Sequence, residues 1–183
     1  MKLLLFGASG SGTTTLAKAI AEKANFMHLD ADDYYWKPTE IPFTEKIPLQ
    51  ERNKNIKIDF QKYDNVVISG SMVSWGKEWE TAFDLAVFIR LDNDIRMERL
   101  RKREIERYGG LLDMDTERKK VHEAFMDWAN QYENPQFKGR SLQVHNDLIK
   151  KLDCPVIRIN GEMELEDKMD KVVHKIREIK TIK

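Results

Sequence analysis

The chain carries Gly7-Ala8-Ser9-Gly10-Ser11-Gly12-Thr13-Thr14-Thr15 directly after the short apolar run Leu3–Phe6. An amphipathic helical pattern with Leu16 and Ile20 on its apolar face follows at once. The spacing of the outer glycines is that of G-x-x-x-x-G-K-[ST], a loop whose backbone N–H groups and following helix N-terminus hold phosphate. The sequence therefore predicts a strand, a phosphate-binding loop and a helix in succession.

Two threonines of this loop bear on its chemistry. Thr14 stands at the hydroxyl position of the motif, where the side chain ligates Mg²⁺, whereas Thr13 stands where the motif has its lysine. The loop therefore lacks the charge that usually reaches the transferred phosphate. We expect the loop to bind the phosphates of a nucleotide mainly through Gly7, Ser9, Gly10, Ser11, Gly12, Thr13, Thr14 and Thr15. The alternative is a Gly- and Ser-rich turn without a ligand.

Composition narrows the class of protein. The chain has 183 residues, 31 Lys and Arg against 31 Asp and Glu, and 41% hydrophobic residues, which predicts one domain over residues 1–183. A net charge of zero argues against a nucleic-acid partner, and no uncharged stretch is long enough to cross a membrane. Cys154 is the only cysteine, which excludes an internal disulfide and predicts a cytoplasmic location.

Five short apolar runs are predicted to be strands of an α/β fold. They are continuous rather than alternating, which is typical of a parallel sheet with helices on both faces. We expect the strands at Leu3–Phe6, Phe26–Leu29, Val66–Ser69, Leu85–Leu91 and Val156–Ile159. Residues 93–152 read as a helical insert, with helices at about 94–108, 115–131 and 140–152, and a last amphipathic helix starts near Leu165.

Two carboxylates end the second predicted strand. The carboxyl ends of parallel strands border the ligand crevice, so Asp30 and Asp32 are expected beside the phosphate-binding loop. Side chains alternate along an extended chain, which would place both on one side. Asp30 would then hold Mg²⁺ or contact substrate, and Asp32 would contact substrate and accept its proton. The alternative is helix capping or a solvated turn.

Aromatic residues follow the second and third strands. Trp36 and Trp75 could stack on an acceptor with a flat or apolar part, such as a nucleoside or nucleotide base, and Gly70 and Ser71 would lie beside it. Packing of these loops onto the core is an equally weighted alternative.

An arginine-rich segment follows the fourth strand. Arg99, Arg103 and Arg107 are four residues apart, which aligns them along one helical face, and Arg140 is a further candidate at the far end of the insert. Cations that neutralise the equatorial oxygens carry much of phosphoryl-transfer catalysis. A solvated helix with Glu98–Lys102 and Arg103–Glu106 pairs is the alternative.

Taken with Asp30-Ala31-Asp32 and Ile159-Asn160-Gly161, the loop and the arginine helix resemble those of the P-loop small-molecule and nucleotide kinases, the group of adenylate kinase and shikimate kinase. The resemblance implies a three-layer P-loop NTPase fold with an arginine-bearing lid, ATP as donor, and Asn160 and Gly161 near the donor base. It also implies a soluble enzyme, as monomer or homodimer, that moves the γ-phosphoryl group with Mg²⁺ to a small molecule. The missing lysine is the departure from the family pattern.

Two other functions stay open at this stage. A nucleotide sensor or interaction protein that has lost catalysis is suggested by Thr13, although such a protein needs neither a base nor a lid. A P-loop hydrolase is the second alternative, but the strand Val66–Ser69 lacks a terminal Asp.

Overall fold

Five parallel strands form one sheet in the order β2-β3-β1-β4-β5, as seen in a computed structural model that describes residues 1–182. The strands are β1 (Lys2–Gly7), β2 (Met27–Asp30), β3 (Val66–Ser69), β4 (Leu85–Arg90) and β5 (Val156–Asn160). In register, Leu3 of β1 lies opposite Val67 of β3 on one side and Leu85 of β4 on the other. The predicted five-stranded parallel sheet is confirmed, with strand ends shifted by one residue.

Eight α-helices accompany the sheet in the described residues. They are α1 (Thr13–Ala24), α2 (Ala31–Tyr35), α3 (Leu49–Lys62), α4 (Asn93–Tyr108), α5 (Leu111–Met114), α6 (Thr116–Asn130), α7 (Leu142–Lys151) and α8 (Leu165–Ile182). None of the helices within residues 1–182 is long and apolar enough to span a membrane.

The alternating side chains of β1 separate two cores. Leu3 and Leu5 pack with the apolar faces of α1 and α8, whereas Leu4 and Phe6 pack with residues of α3 and α7 and with buried tryptophans. Every one of these four side chains is fully buried. Because both faces of the sheet are covered, its central strands β1, β3 and β4 are almost entirely apolar, which explains why they lacked alternation in the sequence.

The insert is built as expected, with one addition. Its three long helices, α4, α6 and α7, match the predicted segments within two residues at most boundaries, and the short α5 lies between α4 and α6. A small third core with Met97, Leu100 and Ala129 joins α4 to α6. Two helices, α2 and α3, were not predicted; α3 has a weak apolar face in which only Arg52, Asn53 and Ile56 are buried.

Candidate active site

The loop between β1 and α1 depends on glycine at two positions with left-handed backbone. Gly10 has a φ of 86° and Gly12 a φ of 95°. A Cβ at Gly10 would lie 2.9 Å from Cγ of Leu100, whereas a Cβ at Gly12 would meet nothing within 4 Å. The Ser11 N–H donates to the Ala8 carbonyl at 3.1 Å and closes the loop. This tight backbone curl is the form that surrounds a phosphate.

The N-terminus of α1 is left open by its sequence. Its N-cap is Gly12, no side chain caps it, and its first turn has no acidic residue. Four other helices carry a side-chain cap, from Asp30, Asp92, Asp115 and Ser141. The first N–H groups of α1 therefore remain available to an anion, and the helix dipole favours negative charge there.

A chain of hydrogen bonds lies beside this helix end and links α1 to the strands β2 and β3. The Thr14 hydroxyl donates to Oδ2 of Asp30 at 3.0 Å, and the Ser69 hydroxyl lies 3.5 Å from Oγ1 of Thr14. Nε2 of His28 lies 2.8 Å from Oγ of Ser69, and burial lowers the pKa of His28. The hydroxyl of Thr14 and the carboxylate of Asp30 thus converge on one point beside the loop.

The donor set at that point suits Mg²⁺. Mg²⁺ prefers oxygen ligands and is usually held in kinase sites by few protein groups together with substrate phosphates and water. Thr14 and Asp30 supply such oxygens. Within residues 1–182, no group of three or more His, Cys, Asp or Glu side chains forms a denser cation site.

The prediction that Asp30 and Asp32 lie on one side of an extended chain is wrong. The chain is not extended from Asp30 to Asp32, because α2 begins at Ala31 and Oδ1 of Asp30 caps it by accepting the Asp32 N–H at 3.1 Å. Helix capping, offered as an alternative, is therefore one role of Asp30. Its other carboxylate oxygen accepts from Thr14.

Charges of the insert act on the Asp32 carboxylate, which is exposed to solvent. Desolvation in a crevice raises its pKa, and the positive charges of Arg140 and Arg103 oppose that effect. The residue nevertheless retains access to solvent. The next carboxylate, Asp33, is influenced by His28 and Lys18 rather than by arginines of the insert.

The arginines of α4 are divided among different partners. Nε and Nη2 of Arg103 donate to Oε1 of Glu104 at 3.0 and 2.8 Å, and Nη1 of Arg107 lies 3.6 Å from the same oxygen. Glu104 has a side chain that is only 5% exposed. The Arg103–Glu106 pair of the solvated-helix alternative is thus replaced by a buried carboxylate that holds two arginines.

Arg99, in contrast, faces the loop after β5. Its Nη1 donates to the Gly161 carbonyl at 3.3 Å, and Nζ of Lys168 donates to the same oxygen at 2.8 Å. Oδ1 of Asn160 accepts the Glu162 N–H in a local turn. Since Leu100, one residue after Arg99, lies against Gly10, the loop after β5 and the phosphate-binding loop both border α4.

The predicted acceptor residues lie in different environments. Trp75 is 1% exposed and packs in the core behind the sheet, so the expectation that it stacks on a ligand is wrong. Trp36 is half-buried and contacts the rings of Tyr35 and Phe43. A Cβ at Gly70 would lie 3.0 Å from Cβ of Ala31, so this glycine permits close contact with the start of α2.

Ser71 belongs to a buried network that the sequence did not reveal. Its hydroxyl lies 2.9 Å from Nε2 of His145, and Nδ1 of His145 lies 2.7 Å from the Tyr132 hydroxyl. All three side chains are buried, and burial lowers the pKa of His145 to about 3. Ser71 is therefore tied to the insert, and its predicted substrate contact stays a prediction.

Arg52 of α3 is the second feature that sequence reasoning missed. It is 7% exposed, its guanidinium lies 4.3 Å from the Tyr35 ring centre and 4.7 Å from that of Trp75, and Nη2 donates to the Ser74 carbonyl. Nε of Arg52 is buried without a partner. The only signal in the sequence was an arginine in a segment with a weak apolar pattern.

Comparison with known proteins agrees with this geometry. A family model described as AAA domain matches residues 3–124. The uncharacterized protein YqaC of Bacillus subtilis is 35% identical over 169 residues, which cover 92% of this chain and 93% of that protein. A cytidylate kinase of Archaeoglobus fulgidus is 32% identical over 115 residues, which cover 57% of this chain and 62% of the kinase.

Solved structures agree on the fold. Deoxyadenosine kinase from M. mycoides with bound dATP superposes with a TM-score of 0.59 at 13% identity, covering 97% of this chain and 100% of that one. Shikimate kinase from Bacteroides thetaiotaomicron gives a TM-score of 0.57 at 19% identity, covering 97% and 98%. Because the family model matches more than half of its length, the chain belongs to the AAA domain family, and its five-stranded parallel sheet is that of the P-loop kinase fold.

Proposed function

We propose that the protein transfers the γ-phosphoryl group of ATP to a small molecule, a nucleoside or a nucleotide. The observation that carries this proposal is the convergence on one crevice of the open α1 N-terminus, the Thr14–Asp30 pair and the Asp32 carboxylate opposite Arg103 and Arg140. A phosphoryl-transfer site needs an anion cradle, oxygen ligands for a metal, and cations beside the transferred group.

In the proposed reaction an oxygen of the acceptor bonds to the γ-phosphorus while the bond from that phosphorus to the β,γ-bridging oxygen breaks. ADP leaves with the electron pair of the broken bond. Where the acceptor oxygen is a hydroxyl, its proton passes to the Asp32 carboxylate. Asp32 suits this role because desolvation raises its pKa towards the working range of a general base.

Mg²⁺ would be held by Oγ1 of Thr14 and the carboxylate of Asp30, whose 3.0 Å hydrogen bond marks the position. The ion would neutralise phosphate charge. Around it, His28 and Ser69 orient Thr14, and the N–H groups of α1 orient the donor phosphates.

The proposed chemical class of the acceptor rests on two residues, Trp36 and Arg52. Trp36 retains an exposed part next to Tyr35, which suits the face of a base. Arg52, with its unpartnered Nε, suits an anionic group, since a buried donor without a partner costs free energy until a ligand satisfies it. The relatives include cytidylate kinases and a uridine kinase, which supports a pyrimidine acceptor among the candidates.

Other features fit a cytoplasmic enzyme, as monomer or homodimer. Burial raises the pKa of the Cys154 thiol to about 11, so this cysteine stays a thiol at neutral pH. The balanced charge gives no support to a nucleic-acid partner.

The test is ADP formation from Mg-ATP in the presence of nucleosides, nucleoside monophosphates and small hydroxylated metabolites. We expect ADP formation that depends on one class of acceptor and a phosphorylated product in equal amount. ADP formation without any acceptor would support the hydrolase. ATP binding without turnover of any acceptor would support the sensor, for which Thr13 is the strongest argument.

A further inference from the structure

The phosphate-binding loop lacks the lysine of its motif, so a positive charge beside the donor phosphates has to come from elsewhere in the chain. Thr13 offers a hydroxyl and no charge at that position. A donor triphosphate carries negative charge that a phosphoryl-transfer site neutralises with preorganised cations. The insert carries arginines on α4 and in the segment before α7.

Most of these arginines are committed to protein groups. Arg96 is fully buried and donates to the carbonyls of Ser9 and Ala129, at 3.2 and 2.9 Å. Arg99 donates to the Gly161 carbonyl. Arg103 and Arg107 are paired with the buried carboxylate of Glu104, which offsets much of their charge.

Arg140 differs from these arginines in its partners and in its position. In the described chain, its guanidinium has neither a hydrogen bond nor an ion pair with a protein group, and it lies 5.4 Å from the ring centre of Trp128. It lines a narrow cleft together with Ala8 and Ser9 of the phosphate-binding loop. Its positive charge is also the largest opposing influence on Asp32 across the crevice. It thus borders the donor loop and acts electrostatically on the Asp32 carboxylate.

The backbone of Arg140 is held firmly. The next residue, Ser141, is 2% exposed and caps α7 by accepting the Val144 N–H. Four residues further, His145 connects α7 to Ser71 after β3 and to Tyr132. The backbone of Arg140 is thus fixed next to a helix cap, and its guanidinium lies over the Trp128 ring. Its positive charge is therefore preorganised rather than free in solvent.

We propose that Arg140 contacts the terminal phosphate of the donor and supplies the charge that Thr13 lacks. This inference rests on the proposed function and assigns the catalytic cation within it. The loop would then bind the donor phosphates through its backbone, and the cation would come from the insert.

A charge-swap experiment tests the assignment with four proteins: wild type, Arg140→Met, Thr13→Lys and the double variant. Methionine retains an unbranched stem over Trp128, and thermal melts identify any variant that fails to fold. We expect Arg140→Met to lower kcat by about a hundredfold or more, as removal of one preorganised donor does. Thr13→Lys in the same protein should restore most of that loss, whereas Thr13→Lys alone should raise kcat by less than about tenfold.

Affinities for ATP and ADP give a second readout, independent of turnover. Arg140→Met should weaken ATP more than ADP, by about tenfold in the ratio, because only ATP carries the terminal phosphate. The control is Arg101→Ala, an arginine of α4 that lines an outer groove with His122 and Glu123. It should change neither quantity.

Two results would overturn the assignment. One is an Arg140→Met protein with unchanged kcat and an unchanged ATP-to-ADP ratio; the other is a loss that Thr13→Lys does not repair. Absence of acceptor-dependent ADP formation in the wild type would instead contradict the proposed function, and the affinity ratio would then still decide the role of Arg140.

Discussion

The proposed donor side and the proposed acceptor side of the crevice are built in different ways. The donor loop is one continuous stretch, Gly7–Thr15, that offers backbone N–H groups and depends on glycines with positive φ. The acceptor side joins side chains from distant segments, among them Asp32, Arg52 and His145. A backbone site is vulnerable to an added Cβ and tolerant of charge changes, whereas a side-chain site has the opposite sensitivities.

The largest effect should come from an added side chain in the donor loop. Gly12→Val has open space around its Cβ, so its folding cost should be limited to the strain of a φ of 95°, about 1–2 kcal/mol. The branched side chain would nonetheless occupy the space that the phosphate needs above the helix end. At a hundredfold excess over Kd, ATP should stabilise the wild type by about 2.7 kcal/mol and this variant by nothing measurable.

Gly110→Val is the matched control for that change. Gly110 also has no atom within 4 Å of an added Cβ, and it lies in the insert with an ordinary φ of −65°. Its variant should retain the full ATP-induced shift in a thermal melt. A Gly12→Val protein that still binds ATP would show that the helix end is not the phosphate site.

The next effect concerns the carboxylate of the acceptor side. With a hydroxyl acceptor, Asp32→Asn should lower kcat by about 10²–10³ and leave ATP affinity unchanged, because the loss falls on proton transfer alone. Since the pKa of Asp32 is raised, wild-type kcat/KM should fall as pH decreases through that pKa and protonates the base. The Asn variant should lack this dependence in initial-rate measurements.

Asp33→Asn is its control, because Asp33 lies on the same helix but is influenced by His28 and Lys18 instead of the arginines. It should retain nearly wild-type kcat. A loss below tenfold in Asp32→Asn would indicate that no proton has to be removed, as for a phosphate-oxygen acceptor.

The same contrast explains what the sequence could predict. The donor loop, the five strands and the insert helices are local patterns, in which the spacing of glycines or of apolar residues is itself the signal. Asn160 and Gly161 were assigned by resemblance; the structure places Gly161 beside α4, which also borders the loop, and their predicted contact with the donor base stays a prediction.

The acceptor side was harder because its contacts link residues far apart in sequence. Ser71 meets His145 across 74 positions, and no local pattern encodes such a pair. Trp75 was expected to face a ligand, yet its indole fills the core against Arg52, since an aromatic after a strand can turn to either side of the chain. The prediction that Asp30 and Asp32 share one side of an extended chain was wrong, because a five-residue helix capped by Asp30 begins between them.

The smallest expected effect is on the pH dependence of the free energy of unfolding. It concerns His145, on the proposed acceptor side. Burial lowers the pKa of His145 to about 3, below the value of about 6.5 expected in the unfolded chain. Between these values the unfolded state binds the additional proton, so the free energy of unfolding decreases as pH falls from 6.5 towards 3. The slope contributed by one such group is about 1.4 kcal/mol per pH unit.

His145→Gln removes this group while keeping an amide that can bond to Ser71 or Tyr132. In urea unfolding between about pH 5.5 and pH 4.5, the wild type should therefore lose stability more steeply than the variant, by about 1.4 kcal/mol per pH unit. His28, whose pKa is also lowered, is present in both proteins and cancels in the difference. Equal slopes for wild type and His145→Gln would mean that the network accepts a charged imidazole, and that the contrast between the two sides lies only in how they are assembled.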